Sequence, residues 1–282
     1  MSTGTAEPTA PPQPATSARR AAATAVRFRA TARSEWIKFR SVRSGPAVLA
    51  ATALISILGS WLVSAGYRSG WSGMSSGDRA VFDPTYVSIR SIELSQLLVG
   101  ALGVMTVTGE YSSGLIQATF TATPQRARVI AVQGIVLGSV LLLWCTVLTF
   151  AAFFIGQSQL TAPVPHASLG DPGVLRAVFG GGLYLMLVAL FGLFIGVLIR
   201  RTAAALAVLF GVVLVLPVIA SMLPSSIGDH IAKFLPSSAG SQVWHVYQDP
   251  QALGPIPGLW VFVLYVAAVA AAALALVRRR DV

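Results

Sequence analysis

Few residues in this chain could do chemistry, and their spacing argues against most of it. A phosphate-binding loop needs Gly-Lys-Ser/Thr, yet the only lysines are Lys38, after Ile37, and Lys233, after Ala232. Metal sites need clustered His, Cys or carboxylate groups. His166, His230 and His245 are scattered, Cys145 is the single cysteine, and no His-Glu-x-x-His or Cys-x-x-Cys occurs. The histidines therefore read as solvated or interfacial groups. Gly73-Met74-Ser75-Ser76-Gly77 matches G-x-S-x-G, a pattern that marks a nucleophile only on a strand–turn–helix elbow. Here it lies among glycines and serines, and a loop is expected. Arg90 and Glu93 stand three residues apart and can pair on one helix face, either as a helix-end ion pair or at the mouth of a pathway. No catalytic, cofactor or metal residues are expected on this chain.

The elements that hold these residues follow from composition. The chain has 282 residues, 55% hydrophobic and only 11% charged, with a mean hydropathy of +0.73. A soluble domain carries about a quarter charged residues, so this chain could not wet the surface of a soluble fold of its size. It reads as an all-α integral membrane protein.

A spanning helix needs about 20 apolar residues, and six runs qualify: Ala47–Gly66, Ile89–Thr108, Val129–Ile155, Ala177–Ile199, Thr202–Leu223 and Leu259–Val277. The second is the weakest, since only Leu94–Thr108 is free of charge. The third is long enough to cross with tilt or a kink. Pro217, late in the fifth, predicts a kink. The runs are continuous rather than alternating, which excludes a β-barrel. Gly134–Gly138 and Gly192–Gly196 both read G-x-x-x-G, a spacing that lets helices approach within the bundle or at a second protomer.

Charge gives the orientation. Six spans put both termini on one side. That side collects eight basic residues before Ser44, then Arg126, Arg128, Arg200, Arg201 and Arg278–Arg280, 15 in all. The other side has Arg68, Arg79, Arg90, Arg176 and Lys233, five against six acids. Both termini are therefore expected in the cytoplasm, with the chain multi-pass in the cell membrane. The net charge of +10 thus reflects topology, and no nucleic-acid partner is expected, because no recognition module accompanies it.

Residues 1–20 are rich in Pro, Thr, Ser and Ala and read as a disordered cytoplasmic tail. No apolar run of the signal-peptide kind opens the chain. Over 21–45 a helix would gather Phe28, Trp36 and Phe39 into one stripe, flanked by basic residues including Arg40. This predicts a helix lying in the cytoplasmic interface with its basic heads on lipid phosphates. Residues 46–282 form the six-span membrane domain. It includes a long extracytoplasmic loop at 224–258, whose apolar pieces suggest short helices dipping into the outer leaflet.

The most informative stretch is the cytoplasmic loop at 109–128. It is moderately apolar but too short to span. Leu115, Ile116 and Phe120 would share one face of a short helix, which Pro124 would end. Such a helix suits a partner's groove.

In order, Glu110, Gly114, Leu115-Ile116, Thr123-Pro124 and Arg126 resemble the segment after the second span in permease subunits of type 2 ABC (ATP-binding cassette) exporters. The stretch Ser34–Ser44 is similar to the start of actinobacterial members. The resemblance covers about Arg33 to Arg280. One departure is that Gly109 and Tyr111 flank Glu110, where many members place a second charge. The resemblance implies a subunit without its own nucleotide site. It would pair with a second permease, as a homodimer or heterodimer, and bind a separate ATPase. Residues Ser113–Ala122 would then be the coupling helix, with Leu115, Ile116 and Phe120 entering the ATPase and Glu110 orienting the helix. The segment at 21–45 would be the elbow helix. An apolar pathway suits export of a small amphipathic molecule.

Two alternatives stay open. A secondary transporter would be expected to keep a mid-membrane carboxylate, and none stands there. A membrane scaffold or intramembrane hydrolase is the other; a hydrolase needs a buried polar constellation that the sequence does not display.

Overall fold

The structure is a computed structural model, and it describes residues 44–114, 126–247 and 251–279. Those residues are mostly helical, with no strand among them. Six helices or helix pairs are long and apolar enough to cross a membrane. The first is α1 (Ser44–Gly70); α2 (Ser76–Ala80) and α3 (Pro84–Ile89) are short and precede the second, α4 (Ile92–Ser112). The third and fourth are α5 (Arg126–Gln159) and α6 (Val174–Ile199). The fifth is α7 (Thr202–Phe210) continued by α8 (Leu216–Ser221). Two short helices, α9 (Ser225–Ala232) and α10 (Pro236–Ser241), lead to the sixth, α11 (Pro255–Arg279). The six expected runs are thus all present. The spans alternate in direction, so one end of the bundle carries the short turns (the base) and the other carries the long loops (the loop end).

Several boundaries move. Ile89 closes α3, and the second span begins only at Ile92. At its far end α4 continues to Ser112, so Gly109, Glu110 and Tyr111 are helix and not loop. Arg126 and Arg128 lie in α5, so both ends of the loop expected at 109–128 are helical; residues 115–125 lie outside the described residues. The first span starts at Ser44, which takes the last two residues of the expected interfacial segment. The rest of that segment, with Phe28, Trp36, Phe39 and Arg40, lies outside the described residues, as does the tail.

Helix α6 is the most enclosed span and forms the centre of the bundle. It packs on α4 through glycines from both helices. A methyl group added at Gly103 would collide with the Ala189 carbonyl, and one at Gly192 with the Gly100 carbonyl. The Gly192–Gly196 pair therefore serves packing within the bundle, bringing two backbones into contact as small residues permit.

Helix α1 joins the bundle differently. Thr52, Ser56, Ser60 and Ser64 recur every four residues and are all buried, which places them on one face. Ser56 Oγ bonds Ser95 Oγ of α4 at 2.9 Å, and Ser91 Oγ donates to the Ser56 carbonyl. Ser60 Oγ lies between the Ser88 and Ala152 carbonyls. This hydroxyl stripe ties α1 to α3, α4 and α5. The opposite face exposes Leu54, Leu58, Trp61 and Leu62, as a lipid-facing surface would.

In the fifth span the backbone widens to a π turn over Gly211–Val215, and Leu216 N–H bonds the Gly211 carbonyl. Pro217 follows directly. Its ring would clash with the carbonyl four residues back and it has no N–H to give. The wider turn accommodates both.

Candidate functional site

The base of α4 is where the candidate residues meet the rest of the fold. Glu110 lies in its last turn, half-buried. Gln133, about two turns into α5 and buried, donates from Nε2 to Glu110 Oε1 at 3.2 Å. The same amide reaches the Thr106 carbonyl at 3.5 Å. Gln133 escaped the sequence reading because charges were weighed there and amides were not. A glutamine inside an apolar span was the signal that could have found it, since a buried amide demands a partner.

The neighbouring turn completes the base. Spans four and five are joined by Arg200 and Arg201 alone. Arg200 adopts φ 62°, the left-handed conformation that costs a side-chain-bearing residue roughly 1–2 kcal/mol. Its N–H caps α6 by bonding the Gly196 carbonyl at 2.8 Å. Its guanidinium lies 5.2 Å from the centre of the Tyr111 ring, within cation–π range. Thr202 Oγ1 donates to Thr108 Oγ1 at 2.9 Å. The last two turns of α4 are thus tied to α5, α6 and α7 at once.

Gly114 terminates α4. Ser113 N–H bonds the Gly109 carbonyl and Gly114 sits at φ +72°, a left-handed helix ending that glycine adopts without strain. Of the docking helix expected at Ser113–Ala122 only the first two residues are described: Ser113 caps α4 and Gly114 takes the left-handed conformation. Leu115, Ile116, Phe120 and Pro124 lie outside the described residues, and so does the side chain of Arg126.

A second polar cluster stands at the loop end. Asp83 caps α3, with Oδ1 accepting from Thr85 N–H and Tyr86 N–H at 2.9 and 3.0 Å. Its Oδ2 accepts from Val246 N–H and Tyr247 N–H, both at 3.0 Å. One carboxylate thereby pins the loop before α11 to the start of α3. Arg176 reinforces it by donating to the Val243 and His245 carbonyls. Tyr86 stacks on Trp244, with ring centres 5.4 Å apart and planes 7° from parallel. Tyr86 Oη donates to Glu93 Oε1 at 2.8 Å, and burial together with the Glu93 charge pushes the phenol well above its usual range. Arg90 Nε and Glu93 Oε2 lie 3.6 Å apart, so the expected helix-end pair forms.

His245 joins this cluster, packed on Tyr86 and Trp244 with centres 4.7 and 4.5 Å away. Burial, aided by Arg176, holds its imidazole below the ordinary value, although Asp83 and Glu93 pull the other way. The G-x-S-x-G serine is a cap: Ser75 Oγ accepts from Asp78 N–H, and Ser75 Oγ donates to Asp78 Oδ2. Among the described residues no three His, Cys, Asp or Glu groups converge. No protein-family model matches the chain, and no curated protein is significantly similar to it.

Proposed function

We propose that this chain is the permease subunit of an ATP-driven ABC exporter. In this reading the base faces the cytoplasm of a cell-membrane protein, the termini lie there too, and a separate ATPase subunit docks on the connection between α4 and α5. A second permease, identical or different, completes the pathway. The chain itself hydrolyses nothing. The cargo is a small amphipathic molecule.

The observation that carries the reading is the fastening of α4 at its base. Both ends of the short connection are anchored: α4 by Glu110 to Gln133, and α5 by the same bond. Tyr111 and Thr108 extend the anchorage to the turn between α6 and α7. A push on this connection would move four spans together, which is what a coupling element must do. The basic residues Arg126, Arg128, Arg200, Arg201, Arg278 and Arg279 gather at the same end, in keeping with a cytoplasmic face. The described spans keep their carboxylates, Glu93 and Glu110, at helix ends, which favours an external energy source over proton or sodium coupling.

The test is purification of the tagged full chain from its own membranes in mild detergent, followed by an assay for ATP hydrolysis. The reading expects ATPase activity to co-purify and to vanish when a salt or urea wash strips peripheral subunits from the chain. Hydrolysis that stays with the stripped chain, or none in the unstripped complex, would reject it.

A further inference from the structure

At the loop end a cavity of about 370 Å³ opens beside the Asp83 latch. That volume falls within the roughly 300–1,000 Å³ of small-molecule sites. Its walls are unusual in chemistry. Five rings contribute: Tyr67, Phe82, Tyr86, His245 and Tyr247. Two carboxylates, Asp78 and Asp83, are the charged residues of the lining, and no lysine or arginine lines it among the described residues.

The nearby cations are already committed. Arg79 lies over Trp71 and donates to the Trp71 and Ser72 carbonyls. Arg90 lies over Tyr86 and pairs with Glu93. Both show that ring faces at this end attract guanidinium groups. Asp83 spends both oxygens on backbone N–H groups, so it lends negative potential without a free contact. Asp78 lines the opening, is exposed, and accepts from Ser75 Oγ through Oδ2. Because burial depresses the basicity of His245, at neutral pH that residue supplies a ring and not a competing charge.

We propose that this cavity binds an organic monocation, an amine or quaternary ammonium with an apolar body, whose charge rests on the ring faces beside the Asp78 carboxylate. Cations held over several aromatic faces are a recurrent mode of ammonium recognition. The apolar body would lie against Met74, Val81 and Val87. The inference stands apart from the exporter reading, because it concerns the chain alone and needs no ATPase.

The test uses the purified full chain in nanodiscs, without partner subunits. The probes are benzyltrimethylammonium and its uncharged isostere, neopentylbenzene, followed by calorimetry. Saturable binding of the cation is expected, with the neutral isostere at least about tenfold weaker. Asp78→Asn and Tyr247→Ala should each weaken the cation by about threefold to fivefold, as loss of one exposed charge or ring contact implies. Tyr247→Phe, which keeps the ring, should bind as wild type. Asp78 and Tyr247 are exposed, so unchanged melting of the variants is expected and confirms that folding is intact. Equal binding of both probes, absence of saturable cation binding, or folded Asp78→Asn and Tyr247→Ala variants that bind normally would each overturn the proposal.

Discussion

Gln133 and Glu110 are 23 residues apart in sequence and 3.2 Å apart in space, amide nitrogen to carboxylate oxygen. The contact closes the base of the α4–α5 hairpin, and it sits directly beneath the connection that the functional account assigns to an ATPase. An interhelical hydrogen bond in a membrane protein is worth about 0.6 kcal/mol on average and up to about 1.7.

Gln133→Leu should therefore lower the melting temperature of the purified chain by only a few degrees. Its larger effect should be on coupling. ATP hydrolysis by the complex should persist while export per ATP falls severalfold, because α4 would no longer drag α5. Vesicle transport measured together with phosphate release checks this. A proportional loss of both would mean that Gln133 is simply structural.

Orientation is open to cysteine labelling in intact cells. Ser76→Cys and His230→Cys, both at exposed positions of the loop end, should react with an impermeant maleimide. Ser113→Cys, exposed at the base, should react only after permeabilisation. Cys145 is buried and should stay silent. The reverse pattern would invert the protein and remove the ATPase from its proposed dock.

His245 gives a pH signature. Its folded-state proton affinity is held below that of a free histidine, near 6.5. The unfolded chain thus takes up the proton first as pH falls. The stability linked to this group is complete above about pH 6.5 and is lost as pH drops towards the folded value. Asp83, Glu93, Arg176, Tyr86 and Trp244 are the groups that surround it. His245→Phe keeps a ring and removes the titration. Between pH 7 and 5 the wild-type melting temperature should fall more steeply than that of the variant. Parallel curves would show that the imidazole titrates freely.

The sequence displayed the spans because length and apolar content are local properties. Six runs of about 20 apolar residues are visible without knowing what touches what. The ends were less legible. Gly109, Glu110 and Tyr111 lack the hydropathy of a span, so they read as loop. They are helical because Gln133 and Arg200 meet them from other spans. The Asp83 latch was invisible for the same reason, since it bridges 163 residues to reach Val246 N–H. The hydroxyl stripe of α1 was in principle readable, since Thr52, Ser56, Ser60 and Ser64 keep strict helical spacing. It went unnoticed because small hydroxyl residues barely disturb an apolar run. The Arg90–Glu93 pair was legible because its partners are one turn apart.

The central claim is that the connection between α4 and α5 binds an ATPase. Ile116→Ala with Phe120→Ala is the most direct probe. Burying such side chains in a partner's pocket contributes about 1.5–3 kcal/mol each, and about 1.4 kcal/mol is a tenfold change in affinity. The account predicts that the double variant inserts in the membrane with wild-type yield but recovers at least about tenfold less ATPase in a quantitative pull-down, with export reduced to match. Undiminished recovery of the ATPase together with undiminished export would contradict the account and leave this stretch an ordinary connector between two helices.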